Sequence, residues 1–332
     1  MVREGTGGPP GAFWREYGDR NSRRGERIVG TTGARPSRRA VLTAAGAAVA
    51  GIPLGGSTAF AAPRGNPDVL RQLRALEQEH SARLGVYARD TATGRTVLHR
   101  AEERFPMCSV FKTLAVAAVL RDLDRDGEFL ATRLFYTEQE VKDSGFGPVT
   151  GLPENLAAGM TVEWLCAAAI CQSDNAAANL LLRELGGPEA VTRFCRSVGD
   201  RTTRLDRWEP ELNSAEPGRL TDTTTPRAIG RTYGELVLGD ALVPRDRERL
   251  TGWLLANTTS TERFRKGLPA DWTLGDKTGG GAYGTNNDAG VTWPPHRPPV
   301  VMVVLTTHDR PDAVADNPLV AEAAALLASA LG

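Results

Sequence analysis

Strand-forming segments lie toward both ends of this chain and helical ones fill the middle, an order that restricts the fold more than any other property of the sequence. Residues 84–89 and 96–99 are short runs rich in apolar and β-branched residues on either side of Thr93-Gly94, which predicts a hairpin. Residues 272–277, 288–293 and 300–307 read as three further strands. Between the two groups, apolar residues recur at helical spacing over 110–123, 162–172, 175–185, 188–198, 226–238 and 245–257. A helix over 67–83, with Val69, Leu70, Leu73 and Leu76 on one face, precedes the hairpin, and one over 312–331 closes the chain. The expected fold is α+β: an antiparallel sheet flanked by helices, contributed by 62–104 and 255–332, plus an all-helical domain over 105–254. The seam between them is where a pocket is expected.

The first sixty residues do not fit that scheme. Residues 1–36 are rich in Gly, Arg and Pro and are expected to lack a packed core. Ser37-Arg38-Arg39 then opens a mildly apolar Ala/Gly run, and Ala59-Phe60-Ala61 supplies a small-x-small cleavage pattern. Paired arginines before such a run resemble a twin-arginine export signal. The mature chain is expected to begin near Ala62 and to be secreted or held in the cell envelope. The run is too short and too Gly-rich for an uncleaved anchor, so no stable membrane insertion is expected. Forty basic residues balance forty acidic ones, against the basic excess of a nucleic-acid binder. Only four of the forty are lysines (Lys112, Lys142, Lys266 and Lys277), and Lys can lose a proton where Arg cannot. The four cysteines do not reveal a pairing; Cys166 and Cys171, within one apolar run, read as small buried hydrophobes. The histidines are scattered and lack zinc-site spacing, so neither a metal nor another cofactor is expected.

Three short motifs carry chemistry. Ser109-Val110-Phe111-Lys112 opens an apolar helix, where residues three apart share a face, so the hydroxyl and amine become neighbours. A hydroxyl needs a base to become a nucleophile, and a helix N-terminus aims N–H groups at a developing oxyanion. Alone, the pattern is equally that of an ordinary helix start with a solvated Lys. Ser173-Asp174-Asn175 stands at a helix-to-helix junction, where Ser173 can relay a proton and Asn175 can donate to a substrate carbonyl; a plain N-cap explains it as well. Lys277-Thr278-Gly279, followed by Gly280-Gly281, ends an apolar strand. Its backbone can approach a ligand closely, and Lys277 and Thr278 can hold a carboxylate; a Gly-rich turn with an exposed Lys is the plainer alternative.

Taken in order, Ser-x-x-Lys, Ser-Asp-Asn and Lys-Thr-Gly are a set shared by class A β-lactamases and penicillin-binding proteins. From about Pro67 to its end, the chain resembles a class A serine β-lactamase, also through Arg207-Trp208-Glu209-Pro210-Glu211-Leu212-Asn213 and Asp222-Thr223-Thr224-Thr225-Pro226. The Glu209 segment resembles the omega loop (206–222), which transpeptidases lack, and Arg207 and Asp222 resemble the ion pair that closes it. The resemblance implies a β-lactam as the small-molecule substrate and a monomer. It implies attack by Ser109, with Lys112 or Glu209 as proton acceptor, and protonation of the departing nitrogen through Ser173. N–H groups of Ser109 and Gly280 would hold the oxyanion, and Lys277, Thr278 and Arg263 the substrate carboxylate. Glu209 and Asn213 would position and activate the water that clears the ester. Asn286 occupies a position where many relatives carry an arginine, and Arg263 resembles a substitute for it. Phe146 lies in a segment longer than usual, so whether it supplies the aromatic that flanks the cleft stays open. Cys108 precedes the nucleophile and its expected partner position is Gly281, so Cys108 is expected to be free. Thr285-Asn286-Asn287-Asp288 resembles cephalosporin-hydrolysing members. Within the superfamily, the rivals are a carboxypeptidase or transpeptidase and a non-hydrolysing penicillin sensor; Glu209 and Asn213 weigh against both.

Overall fold

A computed structural model describes residues 67–332, so the expected prefix and export signal over 1–61 lie outside the described residues. Helix α1 (Pro67–Glu79) leads into strands β1 (Arg83–Asp90) and β2 (Thr96–His99). Strands β3 (Thr273–Gly281), β4 (Thr285–Trp293) and β5 (Val300–Thr307) come from the other end of the chain. They form one antiparallel sheet in the order β2-β1-β5-β4-β3. The two ends therefore meet along β1 and β5, with Val86 opposite Val304. Every residue of β5 is buried, as expected of a central strand covered on both faces. Helices α1 and α6 (Asn317–Leu331) bury Leu73, Leu84, Met302, Val304, Leu319 and Leu327 in one apolar cluster. Helix α5 (Pro226–Val237) packs against β1, β4 and β5. Gly230 allows its close approach, because a side chain there would run into the Tyr87 ring.

Sequence periodicity located the main elements, misplaced some of their ends and missed short ones: the region expected to be all-helical also holds the strand pairs Phe105–Pro106 with Thr223–Thr224 and Arg133–Leu134 with Met160–Thr161, two residues each and too short to show a period. The helix expected over 110–123 begins as a 3-10 turn (Cys108–Val110), continues as α2 (Phe111–Ala118) and ends in a π-helical turn (Val119–Leu123). Strand β3 does not stop at Lys277 but runs through the glycines to Gly281, and β4 starts at Thr285. Glycines contribute no side-chain signal, yet they still pair: Gly279 opposes Asn287 and Gly280 opposes Asn286. Helix α1 stops at Glu79, followed by the left-handed Ser81, and α6 starts at Asn317, where Asp316 caps Leu319 N at 3.0 Å. Among the described residues, no helix is long and apolar enough to cross a membrane. All four cysteines are free and buried, and burial pushes their thiols up, Cys171 to about 12.

Candidate active site

The 3-10 turn that opens the α2 segment points Ser109 into the seam between sheet and helices. The next helical turn brings Lys112 beneath it, wholly buried. Helices α3 (Val162–Cys171) and α4 (Asn175–Leu185) meet at Ser173, whose backbone adopts a left-handed φ of 58°. Asp174 makes that junction rigid. Its carboxylate caps α4 through Ala177 N (2.8 Å) and accepts from Val149 N (3.0 Å) and Thr150 N (2.9 Å). Fixed in this way, Ser173 and Asn175 face Lys112, whose Nζ donates to Asn175 Oδ1 (2.6 Å) and Ser173 O (2.8 Å). Lys277 reaches the Ser173 hydroxyl from the sheet side: its Nζ is 3.0 Å from Ser173 Oγ and 2.9 Å from Thr278 O. Burial, then Lys112 and Arg263, hold the Lys277 amine well below the usual lysine range.

Glu209 completes the cluster. Ser109 Oγ and Lys112 Nζ address a single oxygen, Glu209 Oε1, at 3.4 Å and 3.0 Å. Asn213 Nδ2 donates to the other, Oε2, at 2.5 Å. The sequence placed Ser109 and Lys112 side by side; the structure joins them through this carboxylate. The segment carrying Glu209 closes on Asp222, a buried residue with a left-handed φ of 57°. Its carboxylate accepts from Asp206 N (2.7 Å), Arg207 N (3.0 Å) and Arg207 Nε (2.6 Å). Removing it strands three donors, so Asp222→Ala is expected to cost roughly 2–4 kcal/mol. That corresponds to a melting temperature lowered by about 5–15 °C, checked by calorimetry.

Asn179 escaped the sequence reading. Its side chain donates to Glu209 O (2.9 Å) and accepts from Glu209 N (3.0 Å), gripping the peptide groups on both sides of the catalytic carboxylate. The available signal was its place one helical turn after Asn175, on the same face of α4. Asn287 was also missed. Its Nδ2 donates to Pro106 O (2.9 Å) and Met107 O (3.2 Å), fastening the turn that holds Ser109 to the sheet.

Along the outer strand of the sheet, β3 carries Lys277, Thr278, Gly279 and Gly280 in sequence, the first three of them buried. Thr278 Oγ1 lies 2.5 Å from Thr259 Oγ1. A side chain at Gly279 would press on Met107 O, and one at Gly281 on Asn213 O and Cys108 Sγ, so the glycines allow the strand to lie against the nucleophile turn. Gly281 is thus the neighbour of Cys108, as expected. Arg263 lies behind this edge, where Nη1 donates to Gly279 O (3.0 Å) and Asn287 O (2.9 Å) and Nε to Asn317 Oδ1 (3.1 Å). Burial lowers its proton affinity. Asn286, opposite Gly280, donates to Asn317 and does not extend into the cleft as a cation would. Phe146 is half exposed, and its carbonyl accepts from Asn175 N at 2.8 Å, which ties its segment to the start of α4. Among the described residues, no group of three or more His, Cys, Asp or Glu is placed to hold a metal ion.

The chain is similar to known proteins over most of its length. A family model described as the β-lactamase enzyme family matches residues 68–331. A β-lactamase of Streptomyces lavendulae is 98% identical over 305 residues, 92% of this chain and 100% of the relative. One from Streptomyces fradiae is 70% identical over 301 residues, 90% of this chain and 98% of the relative. Among solved structures, the β-lactamase from Streptomyces albus G superposes with a TM-score of 0.79 at 69% identity, covering 80% of this chain and 100% of that one. An ancestral class A β-lactamase gives 0.75 at 52% identity, over 79% and 99%.

Proposed function

We propose a residue-by-residue route for a chain that belongs to the class A serine β-lactamase family, and whose reaction is therefore hydrolysis of the β-lactam ring, the chemistry of β-lactam resistance. The observation that carries the route is the sharing of Glu209 Oε1 between Ser109 Oγ and Lys112 Nζ. Lys112 directs its N–H groups at Asn175 Oδ1, Ser173 O and Glu209 Oε1, so no lone pair on Nζ faces Ser109. Glu209 is the acceptor for the serine proton, directly or through one water. Ser109 Oγ attacks the lactam carbonyl carbon, and the N–H groups of Ser109 and Gly280 receive the oxyanion. As the C–N bond breaks, the nitrogen takes the Ser173 hydroxyl proton; Lys112, bonded to Ser173, replaces it and takes the serine proton from Glu209 across their 3.0 Å contact, which leaves Glu209 ionised for the second half. In the second half, Glu209 takes a proton from water held by Asn213, the water oxygen attacks the ester carbonyl, and Ser109 leaves with its proton restored. Asn175 uses an N–H on the substrate's side-chain carbonyl, while Lys277 and Thr278, beside Gly279, hold its carboxylate with the charge of Arg263 behind them.

The substrates are penicillins and cephalosporins, the latter on the strength of the Thr285–Asp288 segment. The protein acts as a monomer and is exported through its twin-arginine-type leader. Intact-protein mass after rapid mixing with either drug tests the route: one transient adduct followed by return to the free mass is expected. A wild-type protein that stays acylated would make it a penicillin sensor. Lys277 gives a second prediction. Because its proton affinity is depressed, it is lost below the ordinary lysine range. KM for carboxylate-bearing β-lactams is therefore expected to rise as pH climbs through that depressed value, with kcat changing less, in steady-state rates across pH 6–10.

A further inference from the structure

Behind β3, on the face away from Lys277, two carboxyl groups have no access to water and no adequate partner. Asp276 of β3 and Asp288 of β4 are both fully buried. In the β3–β4 register Asp276 opposes Gly290 and Asp288 opposes Thr278, so the two side chains are diagonal neighbours on one face. Gly290 leaves Asp276 the space to lean across, since a side chain there would run into Asp276 Cβ at 2.8 Å. Three of the four carboxyl oxygens (Asp276 Oδ1, Asp276 Oδ2 and Asp288 Oδ1) find no hydrogen-bond donor; only Asp288 Oδ2 has one, Phe264 N at 3.2 Å. The cations around the pair do not neutralise it. Arg265 Nη2 comes no closer to Asp276 Oδ1 than 3.9 Å, Arg263 spends its N–H groups on carbonyls, and Lys277 and Lys112 turn toward Ser173. Tyr233, on α5, is the other titratable group facing the pair, and it donates to Thr113 and Val110.

Two ionised carboxylates can only accept, so side by side they leave each other unsatisfied and repel in a low-dielectric interior. One proton removes both faults: the protonated group donates to its neighbour, and one negative charge replaces two. We propose that Asp276 and Asp288 hold a single proton between them, and that their remaining single charge sets the pH range over which Lys277 grips the carboxylate of a β-lactam. Burial, and next to it Asp276, raises the Asp288 carboxyl well above the usual carboxylate range. The same two carboxyls raise the Lys277 amine against the lowering by burial, Lys112 and Arg263. Asp276 and Asp288 are positioning residues here: they act on substrate through Lys277. The second half of the proposal rests on the assignment of Lys277 as the carboxylate anchor.

The two halves are tested separately. Infrared spectra of the protein labelled with carboxyl-13C aspartate are compared for wild type, Asp276→Asn and Asp288→Asn at pH 7. The shared proton predicts a protonated-carboxyl C=O band in wild type that both variants lose; a wild type without that band, or variants that both retain it, overturns it. KM against pH then reads the charge. Each single variant keeps one negative charge, so its alkaline rise in KM should coincide with that of wild type. The double variant keeps none, and its rise should begin about one pH unit lower, a tenfold change in KM within that window, with kcat changed less. A single variant whose rise is also displaced, by about half as much as that of the double variant, shows that the pair carried two charges and overturns the proposal. An unshifted double variant overturns its second half. No alkaline rise in any of the proteins overturns the anchor assignment for Lys277, while the infrared band alone still decides the shared proton.

Discussion

Ser109→Ala is expected to lose activity by about six orders of magnitude, the scale on which removal of a triad serine acts elsewhere, and to form no covalent adduct with any β-lactam. The protein should otherwise remain as it was. The Ser109 hydroxyl makes one side-chain hydrogen bond, 3.4 Å long, to Glu209 Oε1, an oxygen that Lys112 also occupies. Alanine removes that weak bond and leaves no buried donor stranded, so stability should change by less than about 1 kcal/mol. Urea titration measures that change, alongside intact-mass measurement with benzylpenicillin. An adduct on the alanine variant would mean that another nucleophile is acylated, and the assignment of Ser109 would fail. The nearby Cys108 is a poor substitute, because burial and then Glu209 push its thiol up and keep it from becoming the thiolate that attacks.

How much of this site could be read in advance differs from residue to residue, for physical reasons. Ser109, Lys112, Ser173 and Lys277 were legible because local geometry fixes their relation: one helical turn joins the first two, and the family's motif order joins the rest. The sheet was legible because β1 and β5 are short, nearly continuous apolar runs, the pattern of strands buried on both faces. The glycine end of β3 was not, since Gly279, Gly280 and Gly281 pair through backbone alone. Asn179 and Asn287 were missed for a related reason. Each acts by hydrogen bonds to backbone carbonyls or amides remote in sequence, Glu209 for one and Pro106 and Met107 for the other, and such bonds leave no periodicity. The buried carboxyl pair is a third kind of case. Asp276 precedes the Lys-Thr-Gly motif and Asp288 follows a turn, and only the antiparallel register makes them neighbours.

Glu209→Ala is expected to separate the two halves of the reaction. With the carboxylate gone, Lys112 Nζ loses its 3.0 Å partner and retains Asn175 Oδ1 and Ser173 O, which frees one position on nitrogen to turn toward Ser109. Acylation then keeps a slower path through Lys112. Deacylation has no comparable substitute, because the side chain that bonds Glu209 Oε2, Asn213, can orient a water and cannot take its proton. Loss of a positioned general base lowers a rate by roughly 10²–10⁴-fold, and here that factor falls mainly on the second step. The variant should therefore accumulate one drug adduct that persists while wild type returns to its free mass. Glu209→Gln keeps the length of the side chain and a hydrogen-bonding oxygen, yet it should trap the adduct as well, since the missing function is proton acceptance. If neither variant forms an adduct, Glu209 is the only acceptor for the serine proton and Lys112 serves solely to hold it in place. If the glutamine variant turns over like wild type, water activation belongs to another group and the role assigned to Glu209 is wrong.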